Sequence, residues 1–354
     1  MRARRLQGRG VSGLATAASP RALQRYLGAL ALAALALAGA VLGLNRLVDP
    51  LWHFEGNRIT GVNLVLNERV SKTNRLLAAP DAYDCLIFGT SRSTLIHTGA
   101  FTSHRCFNLA FSAGRPAEFE AFARYLAARG VAPEVVYVAI DARNMRAALP
   151  PVDIPAFIAA GEAPRHWLVD YLSIDAALFS LRTLFGASAL VRRYDAEFEA
   201  LIGPHNAYRI PEAVRLIRRP FERDAAQRWA ALADIFPQAR VVGYVPPIAG
   251  WLALRELGGR DGEKLDIYLS TLRRIATVYD EVVDFSAPSA VTLAEDHTYD
   301  GSHYDLETNA RIARRLEGAP LDFGLVVTPQ RMEKHRDAWT AGLAKARAQT
   351  RLIE

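Results

Sequence analysis

EVVYVAID, residues 134–141, carries the fold. It is apolar at consecutive positions and rich in β-branched residues, so the strand it predicts is buried on both faces. Such strands belong to parallel sheets covered by helices on either side. Working outward, DCLIFG (84–89) and RCFNLAF (105–111) read as two preceding strands, and PAEFEAFARYLAARG (116–130) as an amphipathic helix ended by Gly130. Downstream, ARVVGYVPP (239–247) is a fourth strand running into a proline loop. LDIYLSTLRRIATVY (265–279) is a helix, EVVDFSA (281–287) a fifth strand and TNARIARRLEG (308–318) a closing helix. The order predicts one doubly wound α/β domain, flavodoxin-like, with a parallel sheet over residues 81–324. An insert at about 150–235 is expected to be mainly helical, from the 3.6-residue periodicity of HWLVDYLSIDAALFSLRTLF (166–185) and FERDAAQRWAALADIF (221–236). A connector, 47–80, precedes the domain, and the charged tail, 325–354, is expected to form a peripheral helix.

The start of the chain is of another kind. LGALALAALALAGAVLGL, residues 27–44, has no charged side chain and no polar face. At ~1.5 Å per residue it extends about 27 Å, close to the hydrocarbon thickness of a bilayer. Residues 26–46 are therefore expected to be a transmembrane anchor. The arm before it, 1–25, holds Arg2, Arg4, Arg5, Arg9, Arg21 and Arg25 and no acidic residue, which predicts a cytoplasmic N-terminus and an exported domain. A cleavable signal peptide is the competing reading, because AGA at 38–40 resembles a cleavage site; the long basic arm and full-length apolar run favour a retained anchor. Those arginines account for the whole net charge of +6, so the basic pI reports topology and gives no reason to expect nucleic-acid binding. In an exported chain Cys85 and Cys106, each opening an apolar strand, either pair or remain buried thiols.

Ligands of doubly wound sheets bind beyond the carboxyl ends of the strands, so the residues there matter most. Gly89-Thr90-Ser91-Arg92-Ser93 follows the first strand and Ser112-Ala113-Gly114 the second. Asp141, Arg143 and Asn144 follow the third, and TYDGSHYD (298–305), with Asp300 and His303, lies beyond the fifth. A serine hydroxyl becomes a nucleophile when an imidazole takes its proton, and the imidazole needs a carboxylate to fix its tautomer. The developing oxyanion needs N–H donors. Ser91 as nucleophile, His303 as base and Asp300 as its orienting partner supply those types. Taken alone, Ser91 reads as a turn or helix cap and Asp-Gly as a common turn dipeptide. His297 is the rival base close in sequence.

FGTSRS, FNLAFSAG, VYVAIDARN and DGSH together resemble the four sequence blocks of the SGNH/GDSL hydrolase superfamily, across roughly residues 81 to 320. The likeness is strongest to membrane-anchored, periplasm-facing members linked to acylation or deacylation of cell-surface polymers. It implies a serine esterase or O-acyltransferase working through an acyl-enzyme on Ser91, with an oxyanion hole from Ser91 N–H, Gly114 N–H and an asparagine amide. The third block departs from the family, which has Gly-x-Asn where this chain reads Asp-Ala-Arg-Asn. Asn144 is the expected donor and Asn108 the substitute. Arg92, beside the nucleophile, is the candidate for binding an anionic substrate. The implied partners are an acyl ester or polysaccharide, the lipid bilayer and a membrane acyltransferase. The same departure supports a catalytically silent scaffold that binds a polysaccharide or that acyltransferase. A purely structural envelope protein is a third, weaker reading. No cofactor or metal is expected: GTSRST lacks the spaced glycines of a dinucleotide site, and no cluster has metal-ligand spacing.

Overall fold

The computed structural model describes residues 19–186, 192–203, 207–259 and 262–353. Arg2, Arg4, Arg5 and Arg9 of the basic arm lie outside the described residues. The central sheet has six strands: β1 (Cys85–Phe88), β2 (Cys106–Asn108), β3 (Val135–Ala139), β4 (Arg240–Val245), β5 (Glu281–Asp284) and β6 (Leu325–Val326). Their spatial order is β6-β5-β4-β3-β1-β2. The first five are parallel, and β6 adds antiparallel to β5 at the edge. The chain is thus mixed α/β with a mostly parallel central sheet. The edge strand β6 carried no sequence signal, being two residues long.

The principal helices are α1 (Pro20–Val48), α2 (Glu68–Ala78), α3 (Pro116–Ala127), α4 (Ile174–Phe185), α5 (Gln227–Ile235), α6 (Gly250–Leu257), α7 (Glu263–Ile275), α8 (Leu306–Leu316) and α9 (Met332–Gln349). Strand alternation divides the core. Leu86, Phe88, Val136, Val138 and Ile140 face one side, where Phe122 of α3, Trp229 of α5 and Tyr268 of α7 cover them. Ile87, Tyr137, Ala139, Tyr244 and Val283 face the other, under Ile312 and Leu316 of α8. Cys85 and Cys106, opposite one another in the β1–β2 register, form a disulfide.

Several elements differ from expectation. The insert is helical in part only: 166–185 breaks at Leu172-Ser173 into Trp167–Tyr171 and α4, and α5 begins only at Gln227. Arg193–Tyr194 and Ala200–Leu201 form a small antiparallel sheet with connector residues Asn63–Leu64. The connector also contains α2, whose polar sequence hid it. The tail is not peripheral. Trp339 of α9 is fully buried in the core, and its indole N–H donates to Asp284 Oδ2 at 2.9 Å. His335 contacts the same carboxylate at 3.0 Å, and Arg351–Ile353 pairs with Ala213–Arg215 of the insert. A sparse apolar pattern of one tryptophan among charges gave no hint of this seat.

α1 is capped by Ser19, whose hydroxyl accepts from Ala22 N–H, with Pro20 in the first turn. It is long and apolar enough to cross a membrane, and none of its apolar window is buried. Only Asn45 and Val48 are buried in α1, where it meets the domain. Asp49 ends it in a left-handed conformation. The fully buried Asp49 carboxylate accepts from the N–H groups of His53, Phe54 and Gly56, and from the Tyr171 hydroxyl. Four donors on one carboxylate fix the direction in which α1 leaves the domain.

Candidate active site

The loop after β1 turns sharply because Gly89 packs where no side chain fits: a Cβ there would lie 2.3 Å from Ser93 Oγ. Gly89 carbonyl accepts from Phe111 N–H at 3.1 Å, tying the loops after β1 and β2 together. Ser91 follows, partly exposed, ahead of a short 3₁₀ turn at Ser93–Leu95. Its carbonyl accepts from the Thr94 hydroxyl at 2.7 Å and from the Arg192 guanidinium at 3.1 Å. Arg192 comes from the insert and belongs to no motif, so sequence reading had no means to find it.

The loop beyond β5 delivers the histidine. Thr298 and Tyr304 bridge across it, and Gly301 turns it at φ +79° with the Trp251 ring of α6 packed against its α-carbon face. His303 carbonyl is held by Tyr299 N–H at 2.8 Å and the Thr298 hydroxyl at 2.9 Å. With its backbone fixed, the imidazole lies between two partners: Nδ1 is 2.8 Å from Asp300 Oδ2, and Nε2 is 2.9 Å from Ser91 Oγ. An ionised carboxylate can only accept, so Nδ1 carries the proton and Nε2 is left to accept from the serine hydroxyl. Partial burial pushes the Asp300 carboxyl up. The hydrogen bond and charge of His303, with the N–H groups of Ser302 and His303, outweigh this and hold it at about 2. The three residues expected to work together are thus in hydrogen-bond contact. The rival His297 lies between Asp296 and Asp305, each at 3.5 Å, and away from the serine.

The flanking residues depart from expectation. Arg92 is buried and cannot meet a substrate anion: its guanidinium donates to Asp141 Oδ2 at 2.8 Å and to Ser302 Oγ at 3.0 Å. It ties the serine loop, the end of β3 and the histidine loop into one unit. Gly114 N–H, expected to face the oxyanion, donates instead to Phe111 carbonyl at 3.0 Å. Glycine is required there because a Cβ would lie 2.5 Å from Gly89 carbonyl oxygen. Asn144 is buried beside this turn, and its amide donates to Gly114 carbonyl at 3.1 Å, leaving the second amide hydrogen. Asn108 is excluded as its substitute: its amide serves Ser93 and Ile96 carbonyls, both at 2.8 Å, and its Oδ1 accepts from Ala110 N–H. Asp141 was visible only as a strand-end residue. Its role as the hub for Arg92, and for the Thr90 hydroxyl at 3.3 Å, comes from the sheet order.

That order explains the location. The β1–β2 connection packs Ile96 and Phe101 on one face of the sheet, whereas the connection that leaves β3 brings Trp229 of α5 to the other. The chain therefore departs from the adjacent strands β1 and β3 toward opposite faces, the position at which doubly wound sheets bind ligands. The site is a serine–histidine–aspartate relay at the carboxyl edge of a mostly parallel sheet. No family model matches the chain, and no curated protein matches it.

Proposed function

We propose that this chain is a serine esterase or O-acyltransferase of the SGNH/GDSL kind, acting on acyl esters of an envelope or exported polysaccharide. The observation that carries this is the continuous Ser91–His303–Asp300 hydrogen-bond relay. Ser91 Oγ attacks the acyl carbonyl as His303 Nε2 takes its proton, and Asp300 stabilises the imidazolium. Ser91 N–H and the free Asn144 amide hydrogen are the donors for the tetrahedral oxyanion. The intermediate collapses to an acyl-serine, and His303 returns the proton to the departing alcohol. Water or a sugar hydroxyl then attacks the acyl-serine, with His303 again as base, and Ser91 is regenerated. The proposed topology is a single pass of the cytoplasmic membrane, N-terminus inside and the domain outside. The Cys85–Cys106 disulfide supports it, since such bonds persist in oxidising compartments.

The commitment of Gly114 N–H to Phe111 favours a second reading, an inactive scaffold of the same kind binding a polysaccharide or a membrane acyltransferase. Treating the full chain in micelles with a fluorophosphonate probe separates the two. The enzyme reading expects labelling that Ser91→Ala abolishes and that His303→Ala or Asp300→Asn slows on the order of 10³-fold. Folded protein that does not label, or that labels equally in all variants, leaves the scaffold.

A further inference from the structure

Among the described residues outside α1, the segment 168–185 holds most of the exposed large apolar side chains, including Val169 at 61%, Ile174 at 78% and Phe185 at 82% exposure. They are ordered. Ile174, Leu178, Leu181 and Phe185 recur at helical spacing along α4, so they share one face. The opposite face, with Ala176 and Ser180, is buried. Such a stripe on a helix that is otherwise well seated implies an apolar medium against it.

Its location identifies the medium. The Ser180 hydroxyl donates to Asn45 Oδ1 at 2.7 Å, and the Asn45 amide donates to Tyr171 carbonyl at 2.8 Å. Asn45 is the residue immediately after the apolar run 27–44 of α1. The helices Trp167–Tyr171 and α4 therefore meet α1 where that run ends, at the level of the bilayer boundary. Trp167, partly exposed beside Phe54, is of the residue type that concentrates at that boundary. Arg165, just before the segment, and Arg182, on α4, are exposed as cations suited to lipid headgroups.

We infer that α4 is an interfacial helix: its Ile174–Phe185 stripe is buried in the acyl-chain boundary of the leaflet that α1 exits, giving the domain a second membrane contact. This rests on α1 as a membrane span and is independent of the catalytic reading. Because the joint at Asn45 and Asp49 is rigid, one orientation of the domain against the lipid surface follows.

Both cysteines are engaged in the disulfide, so single cysteines introduced into the full chain label uniquely. The chain would be reconstituted in vesicles of phosphatidylethanolamine with a minor share of phosphatidylglycerol. A fluorophore at Leu178→Cys, Leu181→Cys or Phe185→Cys is expected to be quenched by lipid-borne nitroxide several-fold more strongly than one at Val278→Cys, an exposed site in the turn after α7. Leu35→Cys, in α1, reports the span itself. Quenching at 35 with none at 178, 181 and 185, and free access there to an aqueous quencher, overturns the interfacial helix while leaving the anchor. Labels at those positions shielded from both quenchers place the stripe against protein and overturn it as well. No lipid quenching at 35 removes the anchor and, with it, this contact.

Discussion

Arg92 shows how far a residue's role can lie from its neighbourhood in the chain. It stands next to the serine, yet its guanidinium is spent on Asp141 and Ser302. Removing one member of a buried ion pair leaves the other charge without a partner, at a cost of about 3–5 kcal/mol. Arg92→Met is expected to destabilise the fold by that amount, and Arg92→Met/Asp141→Asn by clearly less than the sum of the single changes. Denaturation of all four proteins measures the coupling; additive effects would refute the tie. Lys72 of α2 gives a pH signature. Fully buried, it donates to Ala110 carbonyl at 2.6 Å, and burial, only partly opposed by Glu68 and Glu199, brings it from 10.5 to about 8. Below about 8 both folded and unfolded chains hold this proton. Between about 8 and 10.5 only the unfolded chain does, so stability from this group rises with pH across that window. The stability of wild type relative to Lys72→Met should accordingly increase by about 3 kcal/mol from pH 7 to 10.5, read from paired denaturation curves. A flat difference would mean that Lys72 is already neutral or is solvated.

Among elements, those with a strong period were legible and those with a tertiary reason were not. EVVYVAID alternates between two cores, and its burial on both faces follows from composition alone. α9 has no comparable pattern: one tryptophan and one histidine among charged residues reach Asp284 at the end of β5. Burial there pushes the Asp284 carboxyl up, but His335, Ser286 and Trp339 outweigh it and hold it below the usual range. Trp339→Ala removes a large core side chain and one of those hydrogen bonds. The expected loss is about 3–5 kcal/mol, measured as a shift in the unfolding midpoint. A helix lying on the surface would lose under about 0.5 kcal/mol.

For the whole molecule, the disulfide, the long apolar helix and the relay describe a domain that carries α1 at one end and is stapled inside its sheet. The staple closes a loop with a sequence separation of 21 between β1 and β2. Constraint of the unfolded chain by such a loop contributes about 3 kcal/mol. Full-length protein with Cys85→Ser/Cys106→Ser should therefore unfold at lower denaturant by that margin, and reductant should shift wild type but not the double variant. An unchanged midpoint would show that β1–β2 packing alone fixes the sheet edge.

The apolar helix, the order of the five parallel strands along the chain, and the serine, histidine and aspartate at their ends are all legible in the chain alone. Each leaves a local signature: a long uncharged run, two-sided apolar strands, polar residues where those strands stop. Which of these groups stay unoccupied depends on the fold. Gly114 N–H is taken by Phe111 carbonyl within a turn that packs against Gly89 of another loop, the Arg92 guanidinium is consumed by Asp141 and Ser302 from distant loops, and Arg192 arrives from an insert with no motif. The side-chain types are written in the chain; the hydrogen bonds that occupy or free them depend on contacts between residues far apart in it.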